Sequence, residues 1–336
     1  MKRILAAVML VVMVFLVQIS YSNAEEILTD STIINEQYDN LFSYDVIFKD
    51  FHQVFKPEMF NNSGIVARKF EKSDYMEMDD SYTYTYRNGY KLCVSSGLNL
   101  FYYNASGDYY SQILTYLGTA ETVIGNPELT GFTVKEATDQ CNELLSRLGL
   151  GNLELDTIVT FSKEYLKRIT DEMKKEYEGH PKVKYFTSFT DETEAYCLTY
   201  RQVLNGIKTA GTPQVRIVIT RDGIAYLEMF RIIDHITETH PVTEQMTSQD
   251  AVHCFEKRNI NQYSIPDSIS VSYKIREISI AYYYEFDIQN NNAFHAYVFP
   301  CWYIKGYEFM RSAGREKTHL IQDLYRIPDG IWYYPE

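Results

Sequence analysis

FTVKEA at residues 132–137 returns in similar form as MTSQDA at residues 246–251, 114 positions later (247 − 133), and this pair gives the strongest indication of the fold. In each stretch a threonine is followed three residues later by a carboxylate, which is the pattern of an N-terminal capping box. Apolar residues then recur at helical spacing, and alternating strands follow both helices. This order predicts two copies of one helix-plus-antiparallel-sheet unit, although any capped amphipathic helix begins in this way.

The strands of the two copies are indicated by apolar and polar residues in alternation. We expect strands at 196–203, 214–220 and 224–233 in the first copy, and at 279–288 and 294–303 in the second. A charged surface helix over 162–177, ended by the Gly-His-Pro sequence at 179–181, is expected within the first copy.

The residues before the two copies favour a β-rich region. YTYTY at residues 82–86 is followed by Asn88-Gly89 and a second alternating run, which is a strong hairpin pattern. A helix is expected over 44–55, ended by Pro57. The fold class is therefore predicted as α+β, with a β-rich region at 25–128, the first helix-plus-sheet unit at 129–242, and the second unit with a C-terminal tail at 243–336.

The first 24 residues have the character of a secretory signal peptide. Lys2 and Arg3 precede an apolar run over residues 4–19, and Ser22-Asn23-Ala24 provides small residues for cleavage after Ala24. The apolar run is shorter than the ~20 residues of a membrane span. We therefore expect a secreted or cell-surface protein, with a retained membrane anchor as the alternative.

Charge and cysteine usage limit the functional classes. The net charge of −13 disfavours nucleic-acid partners, because an acidic surface repels a phosphate backbone. The five cysteines lack a C-x-x-C pair, which argues against a zinc knuckle or a thioredoxin-like site. Buried thiols are the preferred interpretation, with one or two disulfides as the alternative.

Two stretches resemble a known group of extracytoplasmic proteins. YCLTY at 196–200 leads to Asn205-Gly206-Ile207, and FPCWYI at 299–304 contains a Pro-x-Trp strand. Over about residues 130–306 these features resemble PepSY-like and YycI/YycH-type proteins, although Lys208-Thr209 stands where that family often has Pro-Val. The resemblance implies a non-enzymatic role in which the protein restrains a membrane sensor kinase or peptidase by binding it outside the cell.

The sequence offers no catalytic, cofactor-binding or metal-binding residues. His235 and His240 are five residues apart and Pro241 follows, whereas a metalloprotease helix needs histidines four residues apart with a glutamate beside the first. His253 and Cys254 are neighbours on a predicted helix, so their side chains diverge by about 100°. No P-loop, G-x-S-x-G or dinucleotide-binding motif occurs.

The tyrosine-rich strands are the candidate surface for binding a protein partner. Tyrosine is common at protein interfaces, although rings that only cover a sheet would give the same composition. The candidate residues are Tyr282, Tyr283, Tyr284, Tyr297 and Tyr303. The sequence thus favours a non-catalytic binding or regulatory module, with a secreted hydrolase or a component of a larger surface assembly as the alternatives.

Overall fold

The computed structural model describes residues 28–33, 40–72, 80–117, 128–178, 180, 183–243, 246–261, 269–286, 294–312, 315–327 and 329–333. The predicted signal segment, residues 1–24, lies outside these ranges. In the part of the chain that is described, no helix is long and apolar enough to cross a membrane.

Five helices and sixteen strands are used in the description below. The helices are α1 Phe51–Val54, α2 Gly107–Leu117, α3 Val134–Arg147, α4 Lys163–Glu176 and α5 Ser248–Asn261. The strands are β1 Leu28–Ile33, β2 Phe42–Phe48, β3 Ile65–Glu71, β4 Ser81–Tyr86, β5 Lys91–Ser95, β6 Asn99–Tyr103, β7 Leu153–Phe161, β8 Ala195–Leu204, β9 Ile207–Lys208, β10 Val215–Thr220, β11 Gly223–Phe230, β12 Ile233–Pro241, β13 Ile269–Phe286, β14 His295–Ser312, β15 Arg315–Arg326 and β16 Trp332–Tyr333. This mixture of helices with two largely antiparallel sheets confirms the α+β class.

The chain divides into two compact units. The large unit comprises residues 40–242 and 281–300, and the small unit comprises the chain up to residue 39 together with 243–280 and 301–335.

The main sheet of the large unit runs in the order β3-β4-β5-β6-β11-β10-β8-β7, with β9 paired to β8, and its pairs are antiparallel. Its β4–β5 hairpin confirms the prediction from Asn88-Gly89, and Gly89 takes a φ of 85° in the turn. Only glycine adopts that conformation without strain, which is why the turn forms at this point.

Helices cover both faces of this sheet. Along β8, Tyr196, Leu198 and Tyr200 point toward the cluster that contains the apolar side of α3, while Cys197 points to the cluster that contains α4. Successive strand residues face opposite ways, so a strand covered on both sides is buried along its whole length. The charged helix expected at 162–177 is confirmed as α4, and the Ser162 side chain accepts a hydrogen bond from the Tyr165 N–H at its start.

The helix expected over 44–55 was wrong. Residues 42–48 form strand β2, and the helix is confined to α1. Tyr44, Val46 and Phe48 are buried, so the apolar residues repeat with the period of two that favours a strand. The aromatic residues and charges of this segment obscured that period.

The small unit contains α5 with parts of the longest strands. β14 and β15 pair from Cys301 with Arg326 to Ser312 with Arg315, β16 pairs with β15, and β1 runs parallel to β13. At Gly306 any Cβ would collide with the carbonyl oxygen of Lys274, so glycine is required where these strands approach. Strand β15 had no counterpart among the strands expected from sequence.

Candidate functional site

The structure separates the five candidate tyrosines by burial. Tyr282, Tyr284 and Tyr303 are buried, Tyr283 is half-buried, and Tyr297 is 37% exposed. The Tyr282 ring packs on Tyr44 beneath the strands, with ring centroids 5.4 Å apart. Of the five candidate tyrosines, Tyr297 and Tyr283 are therefore the two that a partner could contact.

Tyr297 lies on β14, among strands of the large unit in which β2 pairs antiparallel with β12 on one side and with the first residues of β14 on the other. Asp45 on β2 stands opposite both Glu238 on β12 and Tyr297 on β14. Residues that face one another across an antiparallel pair project from the same side of the sheet. We call the residues on this side, Ser43, Asp45, Glu238, His240 and Tyr297, the Tyr297 face.

The Tyr297 ring is held in place at both ends. Its hydroxyl lies 2.6 Å from the Ser43 Oγ, which is itself buried. Its ring packs against the buried Phe299 at 5.8 Å between centroids, and Phe299 in turn contacts the Tyr283 ring at 6.2 Å. A tyrosine fixed in this way presents a large contact area with little conformational entropy left to lose on binding.

The polar part of the face is a contact between an imidazole and carboxylates. His240 Nε2 lies 2.6 Å from Asp45 Oδ2 and 3.9 Å from Glu238 Oε2. The His240 ring is also 6.3 Å from the Tyr297 ring. Polar and aromatic groups thus share one accessible side of the sheet, which is the composition of a recognition surface.

The half-buried carboxylate of Asp156, in the large unit, is engaged in structural ion pairs. Burial raises the pKa of Asp156, but Arg201 and Lys208 outweigh it and leave the pKa below its usual value. The Arg201 Nε and the Lys208 Nζ lie 2.6 and 2.9 Å from the carboxylate. An ion pair of this kind positions strands and leaves no carboxylic acid to donate a proton in catalysis.

The cysteines are all free thiols, which agrees with the preferred interpretation of the sequence. Burial raises the pKa of the Cys141 and Cys197 thiols to about 12. It also raises the pKa of the Cys301 thiol well above its usual value. Because the thiolate is the nucleophilic form, these three residues are suited to packing and not to chemistry.

The two histidines of β12 lie in different surroundings, which the sequence alone could not indicate. His235 stands opposite Ile47 and contacts Asp234, whereas His240 stands opposite Ser43 and contacts Asp45. Asp45 and His240 are 195 residues apart in sequence, and only the pairing of β2 with β12 brings them together. The one sequence feature that bears on this site is the pair Glu238 and His240, two residues apart, which share a side of any strand.

No protein-family model and no curated protein sequence matches the chain.

Proposed function

We propose that this protein is an exported, non-catalytic binding protein that regulates a membrane sensor kinase or a membrane peptidase by contacting its extracytoplasmic part. The observation that carries the proposal is Tyr297, an exposed aromatic ring held by Ser43 and Phe299 on an otherwise polar face. The signal-peptide character of residues 1–24 supports export. An aromatic anchor of this kind is typical of the residues that dominate binding energy at protein interfaces.

The proposal includes two related helix-plus-sheet units of the PepSY/YycI type, and the starts of α3 and α5 support it. The Thr133 Oγ1 accepts from the Glu136 N–H, while the Glu136 carboxylate accepts from the Thr133 N–H. Thr247 and Asp250 make the same reciprocal pair of hydrogen bonds. Both capping boxes stand at the positions that the 114-residue offset relates.

A second correspondence lies just before each cap. The Trp302 Nε1 donates to the carbonyl oxygen of Met246 at 2.7 Å, and the Tyr196 hydroxyl is 3.0 Å from the carbonyl oxygen of Phe132. Phe132 and Met246 are equivalent under the same offset. In each copy, therefore, an aromatic side chain from a strand after the helix donates a hydrogen bond to the backbone of the residue that precedes the N-cap.

The buried faces of the two helices agree as well. Ala137 and Ala251 are fully buried at equivalent positions, and so are Cys141 and Phe255. Helix α3 packs on β8 and β10, and helix α5 packs on β15. The proposed copies differ in that α4 lies between the first two strands of the first copy, β7 and β8.

A secreted hydrolase is the alternative that the sequence left open. Hydrolysis needs convergent ionisable groups whose pKa values suit proton transfer. In the described parts of the chain, the half-buried Asp156 and the buried Asp323 each contact a guanidinium group instead, and the buried Glu194 carboxylate accepts from the Lys163 backbone N–H. These contacts support a binding role over a catalytic one.

The proposal is tested by placing a photo-crosslinking amino acid at position 297 of the exported chain in the native cell. We expect a covalent adduct with a membrane sensor kinase or a membrane peptidase, because Tyr297 is the centre of the proposed contact. Phe70 on β3, which is 48% exposed in the same compact unit, is the matched control position. Adducts of equal yield from both positions, or none from position 297, would count against the proposal.

A further inference from the structure

We propose that Asp45, Glu238 and His240 form a binding site for a divalent transition-metal ion, with zinc as the best match. Each residue offers one ligand atom, and the three atoms all lie within 4.8 Å of one another. The site belongs to the Tyr297 face of the large compact unit and does not depend on the regulatory role proposed above.

The distances between the proposed ligand atoms fit a metal ion that bridges His240 and Asp45 in place of their direct contact. Zinc bonds to nitrogen and oxygen of about 2.0–2.2 Å place tetrahedral ligands roughly 3.3 Å apart. The observed separations from the His240 Nε2, 2.6 Å to Asp45 and 3.9 Å to Glu238, fall on either side of that value. Small rotations of these accessible side chains would therefore bring all three atoms to coordinating distance without a change in the backbone.

The backbone beneath the site is fixed by strand pairing. Glu238 stands opposite Asp45, and His240 stands opposite Ser43, one step of two residues along the same strands. The Tyr297 ring lies beside His240, with ring centroids 6.3 Å apart. A site mounted on paired strands holds its ligands more accurately than one built on loops.

The charges around the site favour a cation. Among the described residues, the basic group beside the carboxylates of Asp45 and Glu238 is the His240 imidazole and not a lysine or an arginine. When the imidazole is neutral, the two carboxylates leave two negative charges that no basic side chain in this contact offsets. A divalent ion would neutralise both of them.

The ligand types select the class of metal. Calcium and magnesium prefer sets made of oxygen atoms, whereas an imidazole with carboxylates suits zinc and its first-row neighbours. Three protein ligands leave a fourth position open on a tetrahedral ion. Because the side chains of Asp45 and His240 are each 44% exposed, that position faces solvent and is accessible to an additional ligand.

The test is calorimetric titration of the chelator-treated full chain with zinc chloride, with magnesium chloride and calcium chloride as comparison salts. We expect one zinc ion per chain and no saturable binding of the other two ions. His240→Ala, Asp45→Asn and Glu238→Gln should each weaken zinc binding by about tenfold or more. His235→Ala, an exposed histidine on the same strand that contacts Asp234, should bind zinc within about twofold of the wild-type chain.

Circular dichroism establishes that each variant is folded, and Glu238→Gln carries the test if His240→Ala is not, because the Glu238 side chain is 71% exposed. Cobalt replaces zinc in a second measurement, where a thiolate charge-transfer band would assign the ion to a cysteine instead. That band, undiminished zinc affinity in the variants, or an absence of zinc binding by the wild-type chain would overturn the proposal. Asp45 and His240 would then make only a direct hydrogen-bonding contact.

Discussion

Replacing Trp302 with alanine is expected to lower the free energy of unfolding by about 3–5 kcal/mol. The indole is 6% exposed, and its Nε1 donates to the carbonyl oxygen of Met246. The substitution therefore opens a large cavity and also releases Met246, the residue that precedes the N-cap of α5. Since small domains are stable by only about 5–15 kcal/mol, the loss should be plain in chemical denaturation.

Trp302→Phe separates the two contributions. Phenylalanine fills most of the cavity but cannot donate to Met246, so a loss of about 1–2 kcal/mol is expected. Equal losses for the alanine and phenylalanine variants would show that the hydrogen bond dominates. A near-neutral result for Trp302→Ala would contradict the placement of this strand in the core of the small unit.

Replacing Asp323 with alanine is expected to lower the free energy of unfolding by about 3–5 kcal/mol. The carboxylate side chain is 6% exposed and accepts from the Arg258 guanidinium at 3.0 Å and from the Trp332 indole N–H at 3.1 Å. Alanine leaves these two donors and the Tyr325 hydroxyl without this acceptor, and the Arg258 charge, stacked on the Trp332 ring, loses its counter-ion. Denaturant titration of the variant beside the wild-type chain measures the loss.

Asp323→Asn is the matched control, because asparagine keeps one acceptor and the same shape. Burial raises the pKa of the Asp323 carboxyl above its usual value, although the Trp332 N–H and Arg258 oppose the rise. Ionisation is therefore harder in the folded chain than in the unfolded one, so this group's contribution to stability should fall as pH rises from about 4 through the raised pKa. Asp323→Asn should remove this pH dependence of stability and lower the free energy of unfolding by less than alanine does. An unchanged pH dependence would contradict its assignment to Asp323.

Local patterns predicted the elements whose formation depends on neighbouring residues. Thr133 with Glu136 and Thr247 with Asp250 identified the starts of α3 and α5, because a capping box is complete within four residues. Asn88-Gly89 identified the β4–β5 hairpin for the same reason. Tyr44 and Phe48 were assigned to a helix because their pattern is short and mixed with charges, and pairing with distant β12 and β14 decides their conformation.

The candidate site depended on long-range pairing and could be predicted only in part. Sequence placed Tyr282, Tyr283 and Tyr284 on a strand but could not distinguish a sheet covered on one side from a sheet covered on both. The structure buries Tyr282 and Tyr284 and leaves Tyr297 exposed. Asp45 could not be associated with His240 by any local rule, because their contact requires β2 and β12 to be neighbours.

The most direct test of the regulatory role is the affinity between the purified chain and the extracytoplasmic part of the membrane protein captured at position 297. Tyr297→Ala is expected to weaken that binding by about tenfold or more, because it removes the pre-positioned ring at the centre of the contact. Phe70→Ala should change it by less than about twofold. Equal affinities for the wild-type chain and Tyr297→Ala would contradict the account.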